Sequence, residues 1–147
     1  MVKPGGFLAF SSIHIAPGWA ADLQKAFASF PFEAPFDMPL QTTEWGDWSD
    51  VNWVRKTLAG RGLEDVKVHV FAFLARVESV AHYMSSFGPM IDFVMKNSWS
   101  EEVRNAHGKD EVHGLIRQFL EDRYGGQGWD TTWTSLVASG RVPLSRG

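Results

Sequence analysis

The sequence contains no cysteine among its 147 residues, which excludes disulfide bonds, thiolate nucleophiles and zinc–cysteine sites. Its lysines and arginines form no cluster and the net charge is −3, so binding to a nucleic-acid backbone is not expected. No apolar run reaches membrane-spanning length, and no charged segment or cleavage site of a signal peptide follows the first methionine. We therefore expect a cytoplasmic protein that binds neither nucleic acid nor membranes.

Motifs of known catalytic and metal sites are also scarce. G-x-S-x-G, P-loop and kinase motifs are absent. His82, His107 and His113 include no pair at the H-E-x-x-H spacing, so no metal site is expected. Asp47 and Asp50 can form an acid pair, but a role in capping and stabilising the loop is the preferred interpretation.

Aromatic residues are abundant, with eleven phenylalanines and seven tryptophans. So many large rings indicate a thick core, a hydrophobic pocket or an adhesive interface. Overall, 44% of the residues are apolar and 21% are charged, which is typical of one globular domain.

Apolar periodicity predicts three strands separated by helices. The predicted elements are strands at 6–13, 65–75 and 130–140, and helices at 17–29, 50–60, 79–96, 98–106 and 109–123. Pro89 is expected to kink or break its helix, and Ser98 with Glu101 is expected to form a capping box. A proline-rich loop is expected over 30–48. One face of the second strand changes from polar to apolar, so its cover should begin near Phe71.

Three segments resemble one protein family. "VKPGGFLAFSS" (2–12) is similar to the fifth strand of class I S-adenosylmethionine-dependent methyltransferases, where an "LKPGG" turn leads into that strand. "WGDWSDVNWVRKTLAGRGLEDVKVHVFAF" (45–73) resembles the next helix and the sixth strand of fungal small-molecule members. "YGGQGWDTTWTSLVASGR" (124–141) resembles their seventh strand. The resemblance covers nearly the whole chain and implies a setting in fungal secondary metabolism.

The cofactor-binding half of that family has no counterpart here. The family needs a glycine-rich turn after its first strand and an acidic residue at the end of its second strand. Gly60 and Gly62 precede a predicted strand, and Gly125 and Gly126 follow a predicted helix, so neither pair makes that turn. We therefore expect no cofactor and a single truncated methyltransferase-like domain over 1–147. The first methionine favours a natural short protein over a fragment.

The resemblance implies an α/β fold, an α+β-like remnant whose three-stranded mixed sheet has the order 5-7-6 of the methyltransferase fold, with helices packed on it. The first strand of this chain would then lack its usual neighbour and present unpaired N–H and C=O groups. We expect a homodimer that closes through this strand edge or through the uncovered sheet face.

The candidate catalytic residues are Ser11, Ser12 and His14, at the carboxyl end of the first strand. Ligands bind at this end of α/β sheets, and these side chains can donate hydrogen bonds to a carbonyl or, for His14, move a proton. A solvated strand end is the alternative. The candidate substrate-binding residues lie where the resembling family faces its substrate. They are Trp19, Tyr83, Phe87, Met90, Phe93 and Trp99. Core packing is the alternative for each of them.

Three functional interpretations remain open. A pocket without a cofactor can fold a hydrophobic small molecule into a reactive conformation, so the first is a cofactor-independent cyclase of the pericyclase or Diels–Alderase type. The resemblance favours it, because methyltransferase-like folds are reused for such chemistry. The second is a non-catalytic pseudo-methyltransferase subunit that stabilises a partner methyltransferase. The third is a homodimer or a partner complex that restores cofactor binding.

Overall fold

The computed structural model describes residues 2–14, 18–38 and 46–144. These residues form β1 (Phe7–Ile13), α1 (Gly18–Ala28), α2 (Val51–Gly60), β2 (Glu64–Val77), α3 (Val80–Ser98), α4 (Glu101–Ala106), α5 (Lys109–Tyr124) and β3 (Trp129–Arg141). Each expected strand and helix is present, because apolar periodicity and turn residues act locally. The loop expected over 30–48 falls in part on 39–45, outside the described residues.

The described strands form an antiparallel sheet in the order β1-β3-β2. β1 pairs with β3 from Phe7 opposite Arg141 to Ile13 opposite Ser135. The first, last and second strands therefore lie side by side, in the order expected for this chain. The expected mixture of strand directions is wrong, because a central strand that runs opposite to both neighbours makes both pairings antiparallel. A relation of this order to the methyltransferase fold stays a prediction.

The chain divides into two compact units, and the division falls within β2 and β3. The first unit contains Met1–Ala16, Pro39–Phe73 and Trp133–Gly147. The second unit contains Pro17–Met38 and Leu74–Thr132. Each unit has buried apolar residues of its own, and the expected single domain over 1–147 stays a prediction.

In the first unit, α2 packs on one face of the sheet. The buried cluster combines residues of α2, β2 and β3, namely Val54, Leu58, Val68, Leu136 and Ala138. Side chains alternate along a strand, so Phe10, which is paired with Ala138, lies on this face and packs against the cluster. The sequence of β1 thereby directs Phe10 toward α2 and directs Phe7 to the opposite face.

The opposite face of the sheet in the first unit carries exposed aromatic rings. Phe7 is 68% exposed, Phe71 is 55% exposed and Phe73 is 50% exposed. The expectation that cover begins near Phe71 is therefore wrong. An apolar side chain is buried only where another element packs against it, and the pattern of one strand does not locate that element.

In the second unit, α1 and α3 each pack against α5. The largest fully buried side chains of these helices are Leu23, Phe27, Tyr83, Ile91, Val94, Val112, Ile116 and Leu120. α3 continues through Pro89, so the break that was one of the two expected outcomes does not occur. A proline deprives the carbonyl four residues earlier of its helical partner, and here that residue, Ser85, is exposed to water.

The caps of the last helices differ in one place from expectation. Ser98 still belongs to α3 and donates its hydroxyl to the carbonyl of Asp37 at 2.9 Å, so the expected capping box from Ser98 is wrong. Ser100 caps α4 instead, since its Oγ accepts from the N–H of Val103 at 3.3 Å. Gly125 ends α5 in the left-handed conformation, at φ 59°, as expected.

Candidate functional site

An open cleft of about 430 Å³ lies beside β1 and α2 in the first unit. Its apolar lining consists of Leu8, Phe10, Trp48, Leu58 and Leu63. Its polar lining consists of Ser11, Ser12 and Arg61. A mostly apolar cleft of this size with a few polar groups is typical of a small-molecule site. Two of the three expected catalytic residues therefore line one apolar cleft.

Strand alternation decides how each serine meets the cleft. Ser12 is paired with Leu136, a buried residue on the α2 side, so the Ser12 hydroxyl is on the cleft side of the sheet. Ser11 is paired with Val137 and points its side chain to the other face, so we infer that it meets the cleft through its main chain. Arg61 follows the last residue of α2 and is exposed. The cleft thus combines neutral donors with a cation.

Trp48 forms one wall of the cleft and is held by two other rings. It contacts Phe10 edge-on at 5.5 Å between ring centroids and Trp53 at 4.9 Å. Gly46 makes this packing possible, because a Cβ at this position would lie 1.8 Å from Cζ2 of Trp53. Gly46 also has a φ of 145°, which side-chain-bearing residues rarely adopt. The glycine therefore allows the chain to pass directly against Trp53.

Asp47 and Asp50 shape the turn that leads into α2. Asp47 Oδ1 accepts from the N–H of Ser49 at 3.2 Å and from its hydroxyl at 2.6 Å. Asp50 caps α2 by accepting from the N–H of Trp53 at 2.5 Å. The preferred interpretation of these carboxylates, a capping and loop-stabilising role, is confirmed. The turn also fixes the position of the Ser49 carbonyl.

His14 is anchored by that carbonyl. Its Nδ1 lies 2.9 Å from the oxygen of Ser49. A carbonyl oxygen can only accept, so Nδ1 carries the proton and donates, and Nε2 of the neutral ring keeps its lone pair. His14 lies on the same side of the chain as Ser12 and about 7 Å further along it. It does not line the cleft itself, and its role in proton transfer stays a prediction.

Three of the expected substrate-binding residues pack together in the second unit. The ring of Trp19 stacks on Phe87 at 4.6 Å, and the hydroxyl of Tyr83 donates to the carbonyl of Trp19 at 2.6 Å. Trp19 is 6% exposed and Tyr83 is 0% exposed. Burial, followed by the nearby Asp22 and Tyr124, raises the pKa of Tyr83, so its hydroxyl stays protonated. This geometry favours a packing role for Trp19 and Tyr83.

The other three expected substrate-binding residues differ in their surroundings. Trp99 is buried, contacts Phe27 at 5.8 Å between ring centroids, and donates its Nε1–H to the carbonyl of Pro35 at 2.8 Å. Met90 is half-buried and Phe93 is exposed. A role in substrate binding for these residues stays a prediction. Trp48 and Arg61, which do line a cleft, had no pattern in the sequence that pointed to them.

A buried carboxylate in the second unit was also missed. Asp22 accepts from the hydroxyl of Tyr124 at 2.7 Å and from Nε1–H of Trp129 at 3.1 Å, and Nε of Arg123 lies 3.7 Å away. Burial and the hydrogen bond to Asp22 raise the pKa of Tyr124. One signal was available, since Asp22 falls three residues after Trp19 on the apolar stripe of α1. A charged residue at such a position needs buried partners.

Asp92 joins α3 to α5 through two partners. Its carboxylate accepts from Nζ of Lys109 at 2.5 Å and faces Nε2 of His113 at 3.0 Å. Burial alone would raise the pKa of Asp92, but the hydrogen bonds from Lys109 and His113 outweigh this effect and lower it. The carboxylate is therefore charged at neutral pH and ties the two helices together.

Within 2–14, 18–38 and 46–144, no group of three or more histidine, aspartate or glutamate side chains is arranged to hold a metal ion. None of the helices in these ranges is long and apolar enough to cross a membrane. No family model matches the chain.

Proposed function

We propose that this protein binds a hydrophobic small molecule in the cleft of the first unit and catalyses its cyclisation without a cofactor. The reaction would be of the pericyclase or Diels–Alderase type, in a fungal secondary-metabolic setting as the methyltransferase resemblance implies. The observation that carries the proposal is that an apolar cleft is lined by the hydroxyl of Ser12, the main chain of Ser11 and the cation of Arg61. Such a site can orient an apolar substrate and form hydrogen bonds with one polar group on it.

The chemistry follows from this lining. The apolar walls hold a flexible substrate in a near-attack conformation, which supplies much of the rate of a cyclisation. The hydroxyl of Ser12 donates to a substrate carbonyl and stabilises the negative charge that develops on its oxygen in the transition state. The new bonds form within the substrate, so the product has the same mass as the substrate. His14 does not line the cleft, so a role for its Nε2 in accepting a proton requires a substrate that extends from the cleft to this ring.

The test is incubation with linear polyene or terpenoid precursors that carry a carbonyl, without S-adenosylmethionine. We expect a product of unchanged mass and altered chromatographic retention. Ser12→Ala should slow its formation by up to about tenfold, since one lost hydrogen bond is worth roughly 0.5–1.5 kcal/mol. Ser139→Ala is the matched control, because Ser139 is paired with Ala9 on the other face of the sheet. Equal rates for both variants, or calorimetric affinity for S-adenosylmethionine, would contradict the proposal.

The second candidate is a non-catalytic pseudo-methyltransferase subunit that stabilises a partner methyltransferase. The exposed rings of Phe71 and Phe73 favour it, because these two residues alternate onto the same face of β2 and exposed apolar surface is typical of an interaction site. In co-expression with a methyltransferase, the soluble yield of both proteins should rise, and Phe71→Ser should abolish this rise. A soluble yield that does not depend on the methyltransferase would exclude this role.

A further inference from the structure

The outer edge of β1 presents main-chain groups that point away from the sheet. The N–H of Val142 donates to the carbonyl of Gly6 at 2.8 Å, and the N–H of His14 donates to the carbonyl of Thr134 at 3.0 Å. The even-numbered residues of this segment therefore direct their main-chain N–H and C=O groups toward β3. Successive residues of an antiparallel strand direct their N–H and C=O groups to opposite sides. The odd-numbered residues therefore direct theirs outward. They are Phe7, Ala9, Ser11 and Ile13.

Three features that commonly protect an outer strand, namely charged residues, proline and a β-bulge, are absent from β1 (Phe7–Ile13). Soluble proteins usually protect such edges with lysine, proline or a β-bulge. The sequence of β1, FLAFSSI, contains no charged residue and no proline. Its register with β3 is unbroken from Phe7 to Ile13, so it contains no bulge. This strand is therefore a template for another strand.

We propose that β1 pairs with β1 of a second copy of this chain, antiparallel about a two-fold axis that sets Phe10 opposite Phe10 of the second copy. In this register Phe7 pairs with Ile13 and Ala9 pairs with Ser11 of the second copy, so all four outward residues form main-chain hydrogen bonds. A register centred on Ala9 would leave Ile13 unpaired. A second copy is favoured for two reasons. β1 carries no charge, so two β1 strands placed side by side do not repel each other, and Phe7 beside Ile13 is a favourable cross-strand pair.

The exposed surface of this edge predicts a weak dimer. A phenylalanine buries roughly 150–250 Å² in a full contact, and Phe7 is 68% exposed, so it offers about 100–170 Å². A stable interface buries roughly 800 Å² on each partner, and one strand edge falls below that. We therefore expect a dissociation constant in the micromolar range.

The dimer would also change the cleft. Ser11 lines the cleft and directs its main chain outward, so a strand paired there would lie along the open side of the cleft. This consequence for the cleft rests on the proposed function, whereas the pairing itself does not. Sedimentation needs no substrate, so failure of the dimer and failure of the cyclase are distinguishable.

The first test is sedimentation of the full chain from about 1 to 500 µM, where the mass should rise toward that of a dimer. Ser11→Pro removes an outward N–H without touching the bonds to β3 and should raise the dissociation constant at least tenfold. Ser12→Ala lies in the same strand, but the main-chain groups of residue 12 are directed toward β3, so this variant should leave the dissociation constant unchanged. Circular dichroism checks that both variants are folded. A chain that stays monomeric at 500 µM, or a Ser11→Pro variant that dimerises like the natural chain, would overturn the proposal.

The second test uses the absence of cysteine to determine the register. In the proposed pairing the two Phe10 Cα atoms are about 4.5 Å apart, within the range of a disulfide, whereas the two Ala9 positions are diagonal at roughly 7–8 Å. Mild oxidation should therefore cross-link Phe10→Cys and not Ala9→Cys. The reverse pattern would overturn the register. Cross-linking of neither variant at a concentration where the natural chain sediments as a dimer would overturn the use of this edge.

Discussion

Replacement of Asp22 by alanine should destabilise the second unit more than replacement of an exposed charged residue does. The side chain of Asp22 is 8% exposed, and its partners are the N–H of Trp129 and the hydroxyl of Tyr124. A hydrogen bond to a charged group is worth roughly 1.5–3 kcal/mol. Trp129 is buried, so its N–H finds no water to replace Asp22 and the full energy of this hydrogen bond is lost. Tyr124 is half-buried and can turn to water, which reduces its share to about 1 kcal/mol. Arg123, 41% exposed, adds little. The sum is about 3 kcal/mol.

Urea unfolding followed by circular dichroism measures this loss, and thermal unfolding should show a midpoint lowered by about 6–12 °C. Asp22→Asn retains an acceptor oxygen and should lose less than Asp22→Ala. The control is Asp122→Ala, because Asp122 is exposed on α5, accepts from Gln118 and should change the stability by less than about 0.5 kcal/mol. A midpoint for Asp22→Ala equal to that of Asp122→Ala would refute the reasoning that the buried hydrogen bonds stabilise this unit.

Gly46→Ala should destabilise the first unit by about 2–4 kcal/mol, because its Cβ meets the ring of Trp53 at 1.8 Å and φ is 145°. Gly60→Ala has open space and should be neutral or stabilising in urea unfolding, so similar losses for the two would contradict this explanation. The pKa of Asp92 is lowered from its ordinary 3.8 on folding, so its contribution to stability is present above that value and is lost as the pH falls through the folded pKa. Asp92→Asn should therefore lower stability at pH 7, and the difference should shrink below about pH 4; a difference that stays constant down to pH 2 would contradict the lowered pKa.

The strands and helices were predictable because their signals are local. The apolar spacing of Val112, Ile116 and Leu120 predicts α5, and Gly125 ends it. Neither signal depends on contacts with distant parts of the chain. The predicted cap of α4 is wrong because two serines, Ser98 and Ser100, precede this helix and either could cap it. The end of α3 decided between them by taking Ser98 into its last turn.

The candidate site was predictable only in part. Ser11 and Ser12 are predictable because they lie near the carboxyl end of β1, and both line the cleft. Residue type does not distinguish an aromatic side chain in a pocket wall from one in a core: Trp19 is buried, whereas Trp48 lines the cleft. Arg61 was missed because nothing next to it in the chain indicates that a strand fifty residues earlier lies nearby.

Composition alone excluded cysteine chemistry. Periodicity was sufficient to predict the helices and strands and their order along the chain, since these depend on neighbours within a few residues. The covered face of the sheet, the partners of Asp22 and the lining of the cleft came only from the folded chain. These depend on which distant elements pack together. Burial is a property of such contacts, so the same phenylalanine pattern leaves Phe10 against a core and Phe71 exposed.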